Sequence, residues 1–191
     1  MGTLSSSLLS CVDSKRCRED QLGRYLSPAE VQMVQQTWRV LSKDLAGLGV
    51  AVFINFFETE PDLKMMFPKI VRLNEVSQLE WYVDRDMLQR HAVTVMEGLG
   101  AAVESLEDSQ FLNSVLMALG QTHAKRNMKP TMLKRLWPSL DVGLKTMLGE
   151  RYTPEVTEAW RKLYNYICLQ MRRGMENPDL PVNISDECLA S

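Results

Sequence analysis

Leu88-Gln89-Arg90-His91-Ala92-Val93-Thr94-Val95-Met96 and, further on, Leu119-Gly120-Gln121-Thr122-His123-Ala124-Lys125 hold both histidines of the 191-residue chain. His91 lies three residues after Leu88 and four before Val95, a spacing that puts all three on one apolar helix face. His123 lies four after Leu119 and seven after Leu116, on a second apolar stripe. An imidazole turned into a core needs its nitrogens satisfied by hydrogen bonds or a metal. A single such histidine reads most simply as a hydrogen-bonded core residue. Two of them, on consecutive helices joined by a turn, face a shared interior, where a planar iron macrocycle can take one imidazole on each side.

Outward from these segments the pattern stays helical. Ser27-Pro28-Ala29-Glu30 reads as a helix start, with Ser27 as cap, Pro28 in the first turn and Glu30 completing a capping box. Val31, Val34, Trp38, Leu41 and Leu45 then recur at steps of three and four. A second segment carries Val50, Phe53, Ile54 and Phe57 and stops near Pro61. After Asp62 to Phe67 and Pro68, an irregular loop of roughly fifteen residues is expected. The His91 helix should end near Glu107-Asp108, and Leu112, Val115, Leu116 and Leu119 mark the His123 helix. Pro130 opens a segment with Leu133, Leu136, Leu140, Leu144 and Leu148, in which Trp137-Pro138 should cost a backbone hydrogen bond and kink the helix. Thr153-Pro154 caps the last helix, which carries Val156, Trp160, Leu163, Ile167 and Met171. No two-residue alternation, hairpin turn or internal repeat is evident, so the expected fold is all-α. A globular domain over 25–175 is expected between a flexible arm, 1–24, and a polar tail, 176–191.

Composition narrows the function. Apolar residues make up 45% and charged residues 24%, which excludes a wholly disordered chain. A formal charge of −2 gives no electrostatic footprint for nucleic acid. The longest apolar run, Gly47 to Ile54, is too short to cross a bilayer, so no spanning helix is expected. Cys11, Cys17, Cys168 and Cys188 have neither zinc spacing nor the density of a disulfide scaffold. No secretory signal is apparent, since Lys15, Arg16 and Arg18 follow the Leu8-Leu9 stretch rather than precede it. A reducing, intracellular location is therefore expected. Cys168 reads as a small buried residue and Cys188 as a tail thiol, either of which can enter a disulfide that modulates ligand binding.

From Tyr25 to Met175 the sequence resembles the globin family, most closely its cytoglobin and globin X branch. The resemblance rests on Trp38, on Gly49 to Phe57, on Pro61 with the Lys64-Met65-Met66-Phe67 corner, on the two histidine segments, and on Ala159-Trp160-Arg161-Lys162-Leu163. It implies a globin fold and heme b (iron protoporphyrin IX). His123 would be the proximal iron ligand, and His91 the distal histidine, hydrogen-bonding a gas ligand or coordinating iron itself. Phe67 resembles the corner phenylalanine that packs on the porphyrin, Val95 the apolar distal residue one turn beyond His91, and Phe53 a distal-pocket residue. Without the histidines, Phe53, Phe67 and Val95 would read as ordinary core. Thr94 departs from the family, because many relatives carry there a basic residue that reaches a heme propionate. Lys125 and Arg126 can substitute, or simply form a solvated face.

Met1-Gly2-Thr3-Leu4-Ser5-Ser6 fits the acceptor pattern for myristoylation at Gly2. One acyl chain binds membranes only reversibly, and palmitoylation of Cys11 and Cys17 would supply a second anchor. An unmodified tail or a redox-active Cys11–Cys17 pair are the alternatives. The resemblance to globin X favours a tether on the cytoplasmic face of a membrane.

The function expected is a bis-histidyl, hexacoordinate heme globin that binds O2, NO and CO. Served by a reductase, it would act in redox work: electron transfer, nitrite reduction, NO oxidation or peroxidase-like protection of lipid. Whether any of these makes it an enzyme stays open. A monomer or weak homodimer is expected. The alternatives are a pentacoordinate globin for oxygen storage or transport, and a heme-free helical adaptor.

Overall fold

The computed structural model describes residues 22–73 and 81–182. Gly2, Cys11, Cys17 and Cys188 lie outside the described residues. Seven α-helices follow in order: α1 Pro28–Leu41, α2 Leu45–Thr59, α3 Arg85–Glu104, α4 Ser109–Ala124, α5 Pro130–Leu133, α6 Trp137–Leu148 and α7 Pro154–Glu176. Short 3-10 turns at Ser42–Asp44, Pro61–Met66, Lys134–Leu136 and Gly149–Arg151 bend the chain between them.

The helix starts follow from side chains that satisfy free backbone N–H groups. Ser27 Oγ accepts from the Glu30 N–H at 3.3 Å, while Glu30 returns a carboxylate oxygen to the Ser27 N–H at 2.8 Å. Thr153 caps α7 through the Val156 N–H, with Pro154 in the first turn. Asp44, Asp84 and Asp108 do the same for α2, α3 and α4 at 2.7, 3.0 and 3.0 Å. The main core gathers around Trp160, which is 1% exposed. Its indole N–H donates to Thr37 Oγ1 at 2.9 Å and its ring lies 6.1 Å from that of Trp38. Cys168 is buried there as a free thiol, and burial pushes its pKa up to about 11, so it behaves as a small apolar side chain.

Helix packing decides where the histidines stand. α3 lies on α2, whereas α4 lies on α7, so each histidine helix has its own brace. Both crossings bring backbones close. A Cβ on Gly49 would sit 2.8 Å from the Ala92 carbonyl oxygen, one on Gly120 would sit 2.0 Å from the Met171 carbonyl oxygen, and one on Gly174 would sit 1.9 Å from that of Met117.

Four local expectations are corrected. The apolar stripe from Val31 does not run unbroken to Leu45: α1 ends at Leu41, and Asp44 caps a new helix that Leu45 begins. The loop after Pro68 contains a small antiparallel hairpin, β1 Val71–Leu73 and β2 Trp81–Val83, with Val71 opposite Val83 and Leu73 opposite Trp81. Three-residue strands are too short for alternation to be legible, but their β-branched and aromatic residues suit a pleated pair. Pro138 does not kink a helix, because the segment breaks at Lys134–Leu136 and Pro138 falls in the first turn of α6, where its missing N–H costs nothing. Finally, within Pro28–Thr59 an 18-residue window does reach a mean hydropathy of 1.6, long and apolar enough to span a bilayer. That window draws on two successive helices, and its Leu48, Val52 and Phe53 are buried in the domain core.

Candidate functional site

His91 sits in the second turn of α3, immediately before Ala92, the residue that meets Gly49 of α2. The imidazole is half-buried among aromatic rings. Its centroid lies 4.9 Å from Phe53 and 5.5 Å from Phe67, both edge-on. Phe67 ends the Pro61–Met66 turn and packs on Phe53, Phe56 and Phe57 at 6.0, 6.2 and 5.2 Å. Such edge-to-face arrangements fix ring orientation as well as burying area. Val95, one turn on, is half-buried and touches the apolar clusters on both sides. Burial lowers the His91 pKa below the usual histidine value, and the proximity of His123 and Arg126 lowers it further. The imidazole is therefore neutral near pH 7, the form that can bind a metal. The two histidines thus lie within electrostatic reach of each other.

His123 stands in the last turn of α4. Its Nδ1 is 2.8 Å from the Leu119 carbonyl oxygen, a group that can only accept, so Nδ1 carries the proton and Nε2 keeps its lone pair. That tautomer is the one a metal-binding imidazole needs. The chain leaves α4 through Asn127, whose φ of 61° lies in the left-handed region that asparagine tolerates. The N–H groups of Arg126 and Met128 both close on the His123 carbonyl.

The structure therefore brings together Phe53, Phe67 and His91 by ring contact, and His123 and Arg126 lie near enough to His91 to lower its pKa. One detail differs from the sequence reading. Leu119 does not share the burial of Leu112 and Leu116 but is 37% exposed, because α4 packs on α7 through the face that carries Leu116 and Gly120. Leu119 and His123 line the other side. Thr94 is exposed and spends its hydroxyl on the Arg90 carbonyl at 3.0 Å, so no cation stands there.

One part of the site left no trace in the sequence. The Arg135 guanidinium donates to both Glu60 and Asp62, reaching Asp62 at 2.7 and 2.5 Å. These bonds raise the arginine's pKa and lower that of Asp62. The clamp ties the turn that ends at Phe67 to the segment between α5 and α6, more than 70 residues away in sequence. No local pattern encodes such a pair.

Among the described residues, no group of three or more His, Cys, Asp or Glu could hold a bare metal ion. Two imidazoles give two donors, so iron between them must draw its other ligands from a macrocycle, and the aromatic and aliphatic residues around His91 suit the faces of one. The family model for globin matches residues 50–171, a span that includes both histidines. The chain belongs to the globin family. Cytoglobin-2 of Oryzias latipes is 32% identical over 72% of this chain and 76% of its own length. Cytoglobin-1 of the same fish is 28% identical over 83% of this chain and 89% of its own. These likenesses place this globin near the cytoglobin branch. A crystal structure of a hexacoordinated heme protein from an anhydrobiotic tardigrade shares the fold, with a TM-score of 0.68 at 18% identity, covering 79% of this chain and 96% of that one. Heme is this globin's cofactor, and small gases such as O2 are its ligands.

Proposed function

We propose that His123 supplies the fifth ligand to heme iron and His91 the sixth, and that this globin does redox work on small oxygen and nitrogen species rather than bulk oxygen carriage. One observation carries the reading: two imidazoles on separately braced helices lie within electrostatic reach of each other, with Nε2 of His123 left free by the bond to Leu119. The cytoglobin relatives and the hexacoordinated fold neighbour support the same arrangement.

Heme, when bound, supplies a one-electron couple and an iron site for small ligands. The chain sets access to it. His123 holds the iron from α4. Phe53, Phe67 and Val95 would keep water from the His91 side, and Arg126 would supply the cation for a heme carboxylate that Thr94 does not provide. With His91 as an internal ligand, apparent gas affinity is the intrinsic affinity multiplied by the fraction of molecules in which the imidazole has swung aside. That competition suits electron transfer, nitrite reduction, NO oxidation or peroxide removal, with an external reductase as electron source. His91→Leu should convert a low-spin ferrous spectrum into a five-coordinate one. An unchanged low-spin spectrum would refute ligation by His91. A wild-type protein that is already five-coordinate would instead favour oxygen storage.

The N-terminal sequence supports a lipid tether at the cytoplasmic face of a membrane, with Gly2 myristoylated and Cys11 and Cys17 palmitoylated. A single chain binds with a constant on the order of 10⁴ M⁻¹, so the cysteines provide the second anchor. Gly2→Ala should move the expressed protein from the membrane pellet to the supernatant. If the membrane fraction stayed the same, the tether would be ruled out.

A further inference from the structure

We propose that Gln121 is a positioning residue for His123: with the segment Asn177–Leu180 it forms a latch that fixes the end of α4 and hence the direction of the imidazole. The inference rests on the reading above that His123 binds the iron.

The side-chain amide of Gln121 donates to two backbone carbonyls beyond α7, Asn177 at 3.0 Å and Leu180 at 2.7 Å. Those carbonyls are held in place by a turn that closes α7. The Asn177 side chain donates to the Arg173 carbonyl at 2.8 Å, its N–H to Gly174 at 3.1 Å, and the Leu180 N–H to Asn177 at 3.3 Å. The acceptors are therefore preorganised, and both hydrogens of one amide are used.

A second observation gives the latch leverage. At Gly120 and Gly174 the backbones of α4 and α7 are in contact, so between that crossing and the helix end α4 can move only by pivoting. Gln121 is the next residue after the crossing, and His123 lies two further on. The Nδ1 bond of His123 runs back to the backbone carbonyl of Leu119, one residue before Gly120. The imidazole is thus referenced to the α4 backbone, and that backbone to the end of α7.

The test uses the full-length heme protein and four variants: Gln121→Met, which keeps the shape and cannot donate; a chain ending at Glu176; the two combined; and His123→Ala. Resonance Raman after photolysis of the carbon monoxide adduct reads the iron–imidazole stretch. Hydrogen exchange reads the last turn of α4. Gln121→Met and the shortened chain should shift the stretch in the same direction, and the combination should do no more than either. Exchange at the end of α4 should rise roughly tenfold, as for the loss of one net hydrogen bond. Should the shortened chain fail to fold, Gln121→Met alone still decides. A stretch at the wild-type frequency in Gln121→Met overturns the latch, whatever the exchange shows, and so do additive effects. If His123→Ala keeps the stretch, the ligand assignment itself falls and the latch with it. If His123→Ala abolishes it while Gln121→Met leaves it in place, only the latch falls.

Discussion

His123→Gly should lose heme at least about 100-fold faster than the wild-type protein, beyond the 10–100-fold that residues behind a metal ligand usually control. The measurement is transfer of heme to an excess of apomyoglobin, followed by absorbance. The size of the effect follows from what stands behind each imidazole. The tautomer of His123 is fixed by the Leu119 carbonyl, an acceptor that no side-chain substitution removes, so the ring is always presented with Nε2 free. Among the described residues, the His91 ring takes part in no such hydrogen bond. It is held by ring edges from Phe53 and Phe67, contacts that orient it yet let it swing. Removing the fixed ligand should therefore expel the cofactor, whereas removing the swinging one should change only the spectrum. Added imidazole should restore the absorption of His123→Gly, because the cavity left at the helix end has the shape of the missing ring. Retention equal to wild type would remove His123 from the iron. If His91→Gly were instead the variant that lost heme, the two roles would be exchanged.

The asymmetry between the histidines was partly legible in the sequence. Helical spacing put both on apolar faces, and the resemblance to globins assigned them different roles. Spacing could not show that Leu119 is half in solvent while Leu116 is buried, since a stripe gives the direction of a face and not what packs against it. Side-chain caps at Ser27 and Thr153 could be read because cap and backbone donor are three residues apart. The cap at Asp44 was missed because the apolar stripe of α1 continues in phase into α2, so the break is set by a polar side chain and not by periodicity. The Arg135 clamp and the Gln121 latch were invisible for a different reason. Their partners are separated by more than fifty residues, and only the folded chain brings them together. Much the same holds for Pro138. Its penalty depends on where a helix begins, and the 3-10 turn at Lys134–Leu136 placed that beginning next to it.

The glycine crossing between α4 and α7 was not legible either, and it carries the largest expected effect on stability. Replacing glycine by alanine inside a helix normally stabilises by up to about 1 kcal/mol, through backbone entropy. Gly98 on α3 has nothing within 4 Å of where its Cβ would go. Gly98→Ala should accordingly gain about that amount, or about 2–4 °C in the thermal midpoint of the heme-free protein. At Gly120 the same change puts a methyl group 2.0 Å from the Met171 carbonyl oxygen, and at Gly174 the new carbon lies 1.9 Å from that of Met117. The obstruction is backbone in both cases, so no rotamer change relieves it and the two helices must separate. Overpacking costs typically about 1–3 kcal/mol where side chains can yield. Here the cost should reach or pass the upper end and outweigh the propensity gain, lowering the midpoint by about 6–12 °C. The double variant should lose less than the sum of the two, because one separation accommodates both methyl groups. Heme binding should weaken in parallel, since the displaced helix is the one that carries His123. A Gly120→Ala protein as stable as Gly98→Ala would mean that the two backbones are not in contact in solution.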